Sequence, residues 1–289
     1  MKRLLAGLAT LLHTALALAV SPYIAGERRP PAPVAEQMAP LAQRLQAEGF
    51  TVVGRHLPPR LAGHGSLIVT DPALLRAIGA AGGAAIAGAG IRVGVRADGS
   101  VSYMNPDYWY RAYLQQGFGA AQPAVRDAAQ RLARALGVGA PFGGDVPEVD
   151  LPEYRYMFGM ERIDSGKNVL QRHPGFDEAL RAVQANLGKG LGQTAKVYEV
   201  VLPERQLAVF GVALNDPEQG EGWWAGTIGA DHEAALPYEI FIVGGEVRAF
   251  YARYRIALAW PALGMGQFMR IMQAPEAIHA TMQRLAGSP

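Results

Sequence analysis

The stretch that decides the fold is IRVGVRADGSVSYM, residues 91–104. Its first six residues alternate Ile or Val with Arg or Gly, and this alternation is typical of a β-strand that buries one face. Asp98-Gly99 separates them from a second apolar run, and an Asp-Gly pair between two such runs indicates a tight hairpin turn. The segment therefore predicts a β-hairpin, and Asn105-Pro106 predicts that an aromatic helix begins directly after it.

A second hairpin is predicted over residues 238–256, with its turn at Gly244-Gly245. In both halves of the chain a hairpin comes after a helix and two strands, and it ends in an aromatic-rich exit into helix. This repeated order predicts a duplication, with the Gly/Pro-rich residues 138–152 as the linker. The predicted fold is α+β, with two similar two-layer domains at residues 34–137 and 153–289. Each would be a small antiparallel or mixed sheet with helices packed on one face.

Composition excludes several classes of function. The chain has 289 residues, half of them hydrophobic, and is long enough to bury a core without crosslinks. It has no cysteine, which excludes disulfides, thiolate catalysis, thiolate zinc sites, iron–sulfur clusters and covalent c-type haem. Lys and Arg number 27 and Asp and Glu 25, so loss of Lys2 and Arg3 would balance them. A balanced charge argues against a nucleic-acid partner.

The first residues predict export. A short basic start, Lys2-Arg3, precedes an apolar stretch over residues 4–20. The small-x-small triplet at residues 17–19 is typical of a signal peptide, residues 1–19, that is cleaved after Ala19. The alternative is an N-terminal membrane anchor, which Pro22 disfavours because a span needs about 20 apolar residues.

Cleavage would place the protein in the periplasm or outside the cell, with no stable membrane span. Residues 20–33 would follow as a Pro-rich linker, because their prolines favour extended backbone. We expect intact-mass analysis to find Val20, or a residue within a few positions of it, at the mature N-terminus. Recovery of a chain that retains Met1 in a membrane fraction would contradict cleavage and favour the anchor.

The densest titratable patch is Asp231-His232-Glu233, and Glu239 lies on the strand predicted after it. A histidine beside carboxylates can serve as a general base or a metal ligand. His232 and Glu239 are therefore the catalytic candidates. The competing interpretation is a loop or helix start in which Asp231 is the cap and His232 is solvated, since adjacent side chains rarely point the same way.

Aromatic and arginine residues cluster after each hairpin. On a strand, Tyr251, Arg253 and Arg255 would share one face, and guanidinium groups bind carboxylate or phosphate bidentately. The alternatives are packing between the domains, with arginine stems on aromatic faces, or a buried ion pair with Glu239 or Glu246. The predicted ligand-binding residues are Tyr108, Tyr110, Arg111, Tyr251, Arg253 and Arg255.

No metal and no cofactor is expected. No two of the histidines after the signal peptide stand at the spacing of a helical zinc pair. Met265, Met269 and Met272 could be soft ligands, but their spacing is also that of an ordinary core stripe on a helix. We therefore predict that these methionines belong to the core.

Three segments resemble one bacterial family, the domain of unknown function 302. They are LQAEGFTV at residues 45–52, FDEALRAV at 176–183, and the hairpin RVGV…VSYMNP within 92–106. The resemblance implies a small α+β domain present in tandem. The family commonly carries a Cys before its last hairpin, where this chain has Ala89-Gly90 and Leu236-Pro237, so no thiol-dependent role is expected.

The leading hypothesis for function is an exported binding or accessory protein. It would hold a small ligand, favoured to be anionic, or an envelope protein partner in an aromatic and arginine groove. The alternative is a periplasmic enzyme of the hydrolase type that uses His232 with Glu239. The sequence leaves the oligomeric state open.

Overall fold

The hairpin predicted over residues 91–104 lies inside a six-stranded sheet in the computed structural model, which describes residues 18–288. The turn is tight, and Gly99 takes a φ of +87° there. The strands are β1 Ala19–Val20, β2 Tyr23–Ala25, β3 Thr51–His56, β4 His64–Thr70, β5 Ile91–Arg96, β6 Val101–Met104, β7 Pro141–Phe142, β8 Val146–Pro147, β9 Val169–Arg172, β10 Thr194–Leu202, β11 Leu207–Leu214, β12 Tyr238–Val243 and β13 Glu246–Arg248.

Helices precede and follow the strands in each half of the chain. Asp71 and Asn105 begin two of them with a side-chain cap, since their oxygens accept hydrogen bonds from Leu74 N and Asp107 N. The helices are α1 Val34–Ala47, α2 Pro72–Ala81, α3 Pro106–Leu114, α4 Phe118–Leu136, α5 Phe176–Gly188, α6 Glu221–Ile228, α7 Ala252–Ala259, α8 Met265–Met269 and α9 Ala274–Ala286. Two 3-10 segments, Gly83–Gly88 and Ala230–Ala235, come directly before β5 and β12.

The two larger sheets have the same strand order. The first runs β3-β4-β5-β6-β2 with β7 added at its edge, and the second runs β10-β11-β12-β13-β9. All neighbouring strands in them are antiparallel, while β1 and β8 form a separate pair. The predicted α+β class is confirmed, and the shared order is the one that a duplication would produce.

The two halves pack against each other through their 3-10 segments. Gly83–Gly88 from the first half packs on β11 and β12, and Ala230–Ala235 from the second half packs on β4, β5 and β6. Strand β3 also contacts β10 across this boundary. Because the buried apolar side chains form one cluster that includes both halves, the boundary between the sheets is itself part of the core.

Both segments predicted as linkers contribute strands, so that part of the prediction is wrong. Residues 20–33 contain β2, which lies between β6 and β7, and residues 138–152 contain β7 and β8. Strands of two or three residues are too short to show a periodic pattern, and pairing needs only a few backbone groups. Residues 1–17, where most of the predicted signal peptide lies, are outside the described residues.

The second hairpin ends earlier than predicted. Strand β13 ends at Arg248, and Tyr251 is the residue that precedes α7. Arg253 and Arg255 therefore lie on a helix, and the expected strand face is wrong. Nearly all residues of α7 are buried, so the segment has no polar face that would reveal the period of a helix. A short apolar run of this kind is easily taken for a strand.

The methionine stripe is also placed differently. Met265, Met269 and Met272 expose 46%, 53% and 58% of their surface, so they are not core residues. Helix α8 has only five residues, which is too short to hold a stripe against the core. Of the helices within residues 18–288, none is long and apolar enough to span a bilayer.

Candidate functional site

A row of small residues crosses the first sheet. Ser66 on β4 and Ser102 on β6 are both register partners of Gly94 on β5. A Cβ on Gly94 would lie 2.6 Å from Glu233 Oε1 and 2.5 Å from Ser102 Oγ, so a larger residue would have to displace these side chains. This row lets Ala230–Ala235 approach the sheet closely and brings Glu233 onto it.

Glu233 is a buried carboxyl group with few partners. It is 2% exposed, and its Oε1 accepts a hydrogen bond from Ser102 Oγ at 3.2 Å. Arg96 Nε lies 3.7 Å from the same oxygen, and Oε2 has no hydrogen-bond partner among the described residues. Burial raises the pKa of Glu233 to about 7, because removal from water penalises the charged form more than Arg96 favours it. Glu233 can therefore gain or lose a proton near neutral pH.

A cavity of about 330 Å³ borders Ser102 and Arg96. Its volume is within the usual range for small-molecule sites. Arg28 stands at the same cavity and is held only loosely, with Nη2 3.9 Å from Asp98 Oδ2. The polar and aromatic side chains of the lining are Arg28, Arg96, Ser100, Ser102, Phe142 and Asp231.

His232 is packed beside this cavity. Its Nδ1 lies 3.0 Å from Asp231 Oδ1, and hydrogen bonding to His232 lowers the pKa of Asp231. The imidazole stacks on Trp260 with ring centroids 5.2 Å apart and meets Tyr23 edge-on at 5.0 Å. Since His232 is only 9% exposed, the interpretation that it is solvated is wrong.

The predicted pairing of His232 with Glu239 is not formed among the described residues. Glu239 instead accepts hydrogen bonds from Arg255 Nε at 2.9 Å and Nη2 at 3.1 Å, and it forms an ion pair with Arg92. All three of these charged residues are at most 2% exposed. The alternative of a buried ion pair between Arg255 and Glu239 is therefore confirmed.

The two buried arginines also hold the segment that carries Glu233. Arg92 Nε donates to Ala234 O at 3.1 Å, and Arg255 Nη2 donates to Ala235 O at 2.7 Å. Both guanidinium groups lie over the Trp109 ring, at 5.4 and 5.2 Å from its centroid. This network fixes the backbone next to Glu233 and is closed to solvent.

The predicted aromatic ligand-binding residues are packed inside the protein. Tyr108 is fully buried and donates to Leu258 O on α7 at 2.8 Å. Tyr110, also buried, donates to Gly88 O at 2.9 Å, and Tyr251 donates to Glu276. The alternative of packing between the two halves is therefore confirmed for Tyr108, while Tyr110 is bonded within the first half. The groove predicted at these rings is wrong because protein atoms fill it.

The remaining predicted arginines are paired with carboxylates. Arg111 Nη2 lies 2.6 Å from Glu148, and its Nε lies 3.1 Å from Asp107. Arg253 Nη2 lies 2.6 Å from Glu161. These guanidinium groups are neutralised by the protein itself and leave little charge for a ligand.

Sequence reasoning missed Arg96 and Ser102 and set Glu233 aside in favour of Glu239. The alternation on β5 was the sequence feature that could have indicated this site, since Arg92, Gly94 and Arg96 share one face of the strand. A glycine between two arginines on such a face marks a close approach by another segment. The local pattern does not indicate which segment of the chain makes this approach.

No group of three His, Asp or Glu side chains that could hold a metal ion occurs within residues 18–288. The fold and the cavity define an α+β protein with a small cavity that two arginines line, and the buried carboxyl group of Glu233 lies behind Ser102 at its wall. Comparison with known proteins finds no matching family model, no matching curated protein and no matching solved structure.

Proposed function

We propose that this chain is an exported binding protein that holds a small anionic molecule in the cavity beside Ser102 and Arg96. The observation that carries the proposal is that the guanidinium group of Arg96 is only partly paired. Its side chain lines the cavity and is 29% exposed, its Nε has no hydrogen-bond acceptor among the described residues, and the carboxyl group paired with it, Glu233, is 3.7 Å away. Because the pKa of Glu233 is about 7, that carboxyl group neutralises Arg96 only in part.

The rest of the lining suits the same class of ligand. Arg28 supplies a second positive charge, and Ser100 supplies a hydroxyl donor. The one carboxylate in the lining, Asp231, already contacts His232. Two arginines at one small cavity favour a molecule with two acidic groups, because guanidinium binds carboxylate and phosphate with charge-assisted hydrogen bonds. We therefore choose small dicarboxylates and inorganic phosphate as probes.

Export remains part of this proposal and rests on the predicted signal peptide. Native mass spectrometry of the protein purified from its own periplasm tests binding without assuming a ligand. We expect a small anionic molecule to co-purify. A bound protein in its place would favour an envelope partner, and recovery of the bare chain with no calorimetric response to succinate or phosphate would contradict the proposal.

Arg96→Gln is expected to weaken succinate binding roughly 10- to 150-fold, the loss that corresponds to one hydrogen bond to a charged group. Isothermal titration calorimetry measures this change. Arg76→Gln is the matched control, because Arg76 is an exposed arginine on α2 that lines a different cavity. Equal affinities of Arg96→Gln and the unchanged protein would show that succinate does not bind at Arg96.

A further inference from the structure

Ser102 and Glu233 form a hydroxyl–carboxyl pair at the wall of the cavity. Ser102 lines the cavity, and its Oγ lies 3.2 Å from Glu233 Oε1, within the reach expected of a nucleophile and its base. Ser66, the other serine in the row, donates to Leu236 O at 2.9 Å and does not line this cavity. Only one of the two serines therefore faces both a ligand cavity and a titratable partner.

The groups around this pair match the roles that acyl transfer needs. A base works best when its pKa is near the working pH, and burial raises the pKa of Glu233 to about 7. The charged groups that face Glu233 are Arg96 from β5 and Asp231 from its own segment, which also carries His232. Arg96 lines the same cavity as Ser102, so its guanidinium group is the positive charge available to an oxyanion formed there.

We propose that Ser102 is the nucleophile of an esterase site that acts on small esters of dicarboxylic acids, with Glu233 as its general base. This inference rests on the proposed binding of small anions in the same cavity. The free carboxylate of the ester would bind at Arg28, and its ester carbonyl would lie at Ser102 and Arg96. Succinate bound in the cavity would then correspond to the acid product.

The chemistry balances without a metal or a redox partner. Ser102 Oγ attacks the ester carbonyl carbon while its proton passes to Glu233, and the oxyanion faces Arg96. The ester C–O bond then breaks, and the leaving alcohol takes the proton from Glu233, which leaves an acyl group on Ser102. Water attacks this acyl group and gives its proton to Glu233, and Ser102 Oγ recovers that proton as the carboxylic acid departs.

Mono-4-nitrophenyl succinate tests the proposal, because it is an anionic ester whose alcohol is coloured. We expect a burst of 4-nitrophenolate and one succinyl group on Ser102, located by peptide mass spectrometry. Ser102→Ala should lose both, while Ser66→Ala, which changes the other serine of the row, is the matched control that lies outside the cavity and should keep both. Glu233→Gln should slow acylation roughly 10²- to 10⁴-fold, and the rate should rise with pH through about 7, as Glu233 ionises.

The outcomes separate the two proposals. Succinate binding with no acylated Ser102 would overturn the esterase site and leave the binding site intact. Absence of both binding and acylation would overturn both. Ester hydrolysis that persists in Ser102→Ala would assign it to another residue and overturn this inference, and a melting temperature for Ser102→Ala close to that of the unchanged protein confirms that the variant is folded.

Discussion

Glu239→Gln is expected to lower the free energy of unfolding by about 3–5 kcal/mol, the usual effect of removing one member of a buried charge network. Glu239 is 1% exposed and is the shared partner of Arg92 and Arg255, which are 0% and 2% exposed. Glutamine keeps the shape but removes the charge, so two buried guanidinium ions would face each other without a carboxylate. Urea denaturation measures the change.

Glu178→Gln is the control for this variant. Glu178 pairs with Arg181 at 2.8 Å, but both side chains are largely exposed. Exposed pairs contribute at most about 1 kcal/mol, so this variant should unfold almost like the unchanged protein. A loss for Glu239→Gln no larger than that for Glu178→Gln would show that water reaches the arginines and that the network is not closed.

Glu233→Gln is expected to change how stability depends on pH. In the folded state the pKa of Glu233 is about 7, against 4.5 for an ordinary glutamate. Between these values the folded protein binds more protons than the unfolded chain, so stability falls as pH rises. Each pH unit in this window lowers the free energy of unfolding by up to about 1.4 kcal/mol, and the whole window lowers it by on the order of 3 kcal/mol.

Glutamine does not titrate, so the variant should lack this loss. The free energies of unfolding of both proteins at pH 5 and pH 8 give the difference directly, and subtraction removes the contribution of other groups. Relative to the unchanged protein, Glu233→Gln should gain stability as pH rises from 5 to 8. Parallel pH curves for the two proteins would mean that Glu233 titrates like an exposed carboxyl group.

Local patterns predicted the elements of the fold well where the sequence carries a clear period or a turn signal. The alternation over residues 91–96 and the Asp-Gly turn after it lead to β5 and β6, as predicted. The helix predicted from apolar spacing in Val34–Glu48 is α1, which ends one residue earlier. Prediction failed at α7, because a helix that is buried on nearly all sides has no polar face to reveal its period.

Most residues of the candidate site were not predicted from the sequence. An anionic ligand and a role for arginine were expected, but the arginines chosen on α7 are paired with Glu161 and Glu239. The segment Asp231-His232-Glu233 was recognised as titratable, yet Glu233 acquires its unusual pKa only because Ala230–Ala235 is buried against the first sheet. The burial of a side chain depends on the tertiary structure and cannot be inferred from the residue itself.

The sequence by itself determined the α+β class, the two hairpins and the absence of thiol chemistry, because these depend on local period, turn residues and composition. The tertiary structure alone decided which polar face is buried and which carboxylate each arginine meets. Arg92, Gly94 and Arg96 would look the same on a strand that faces water. Arg96 comes to line the candidate site, and Arg92 enters the closed ion-pair network, because a segment some 140 residues later in the chain packs on this face. Burial strengthens the interactions between the charged groups there and raises the pKa of Glu233, the carboxyl group that this segment brings.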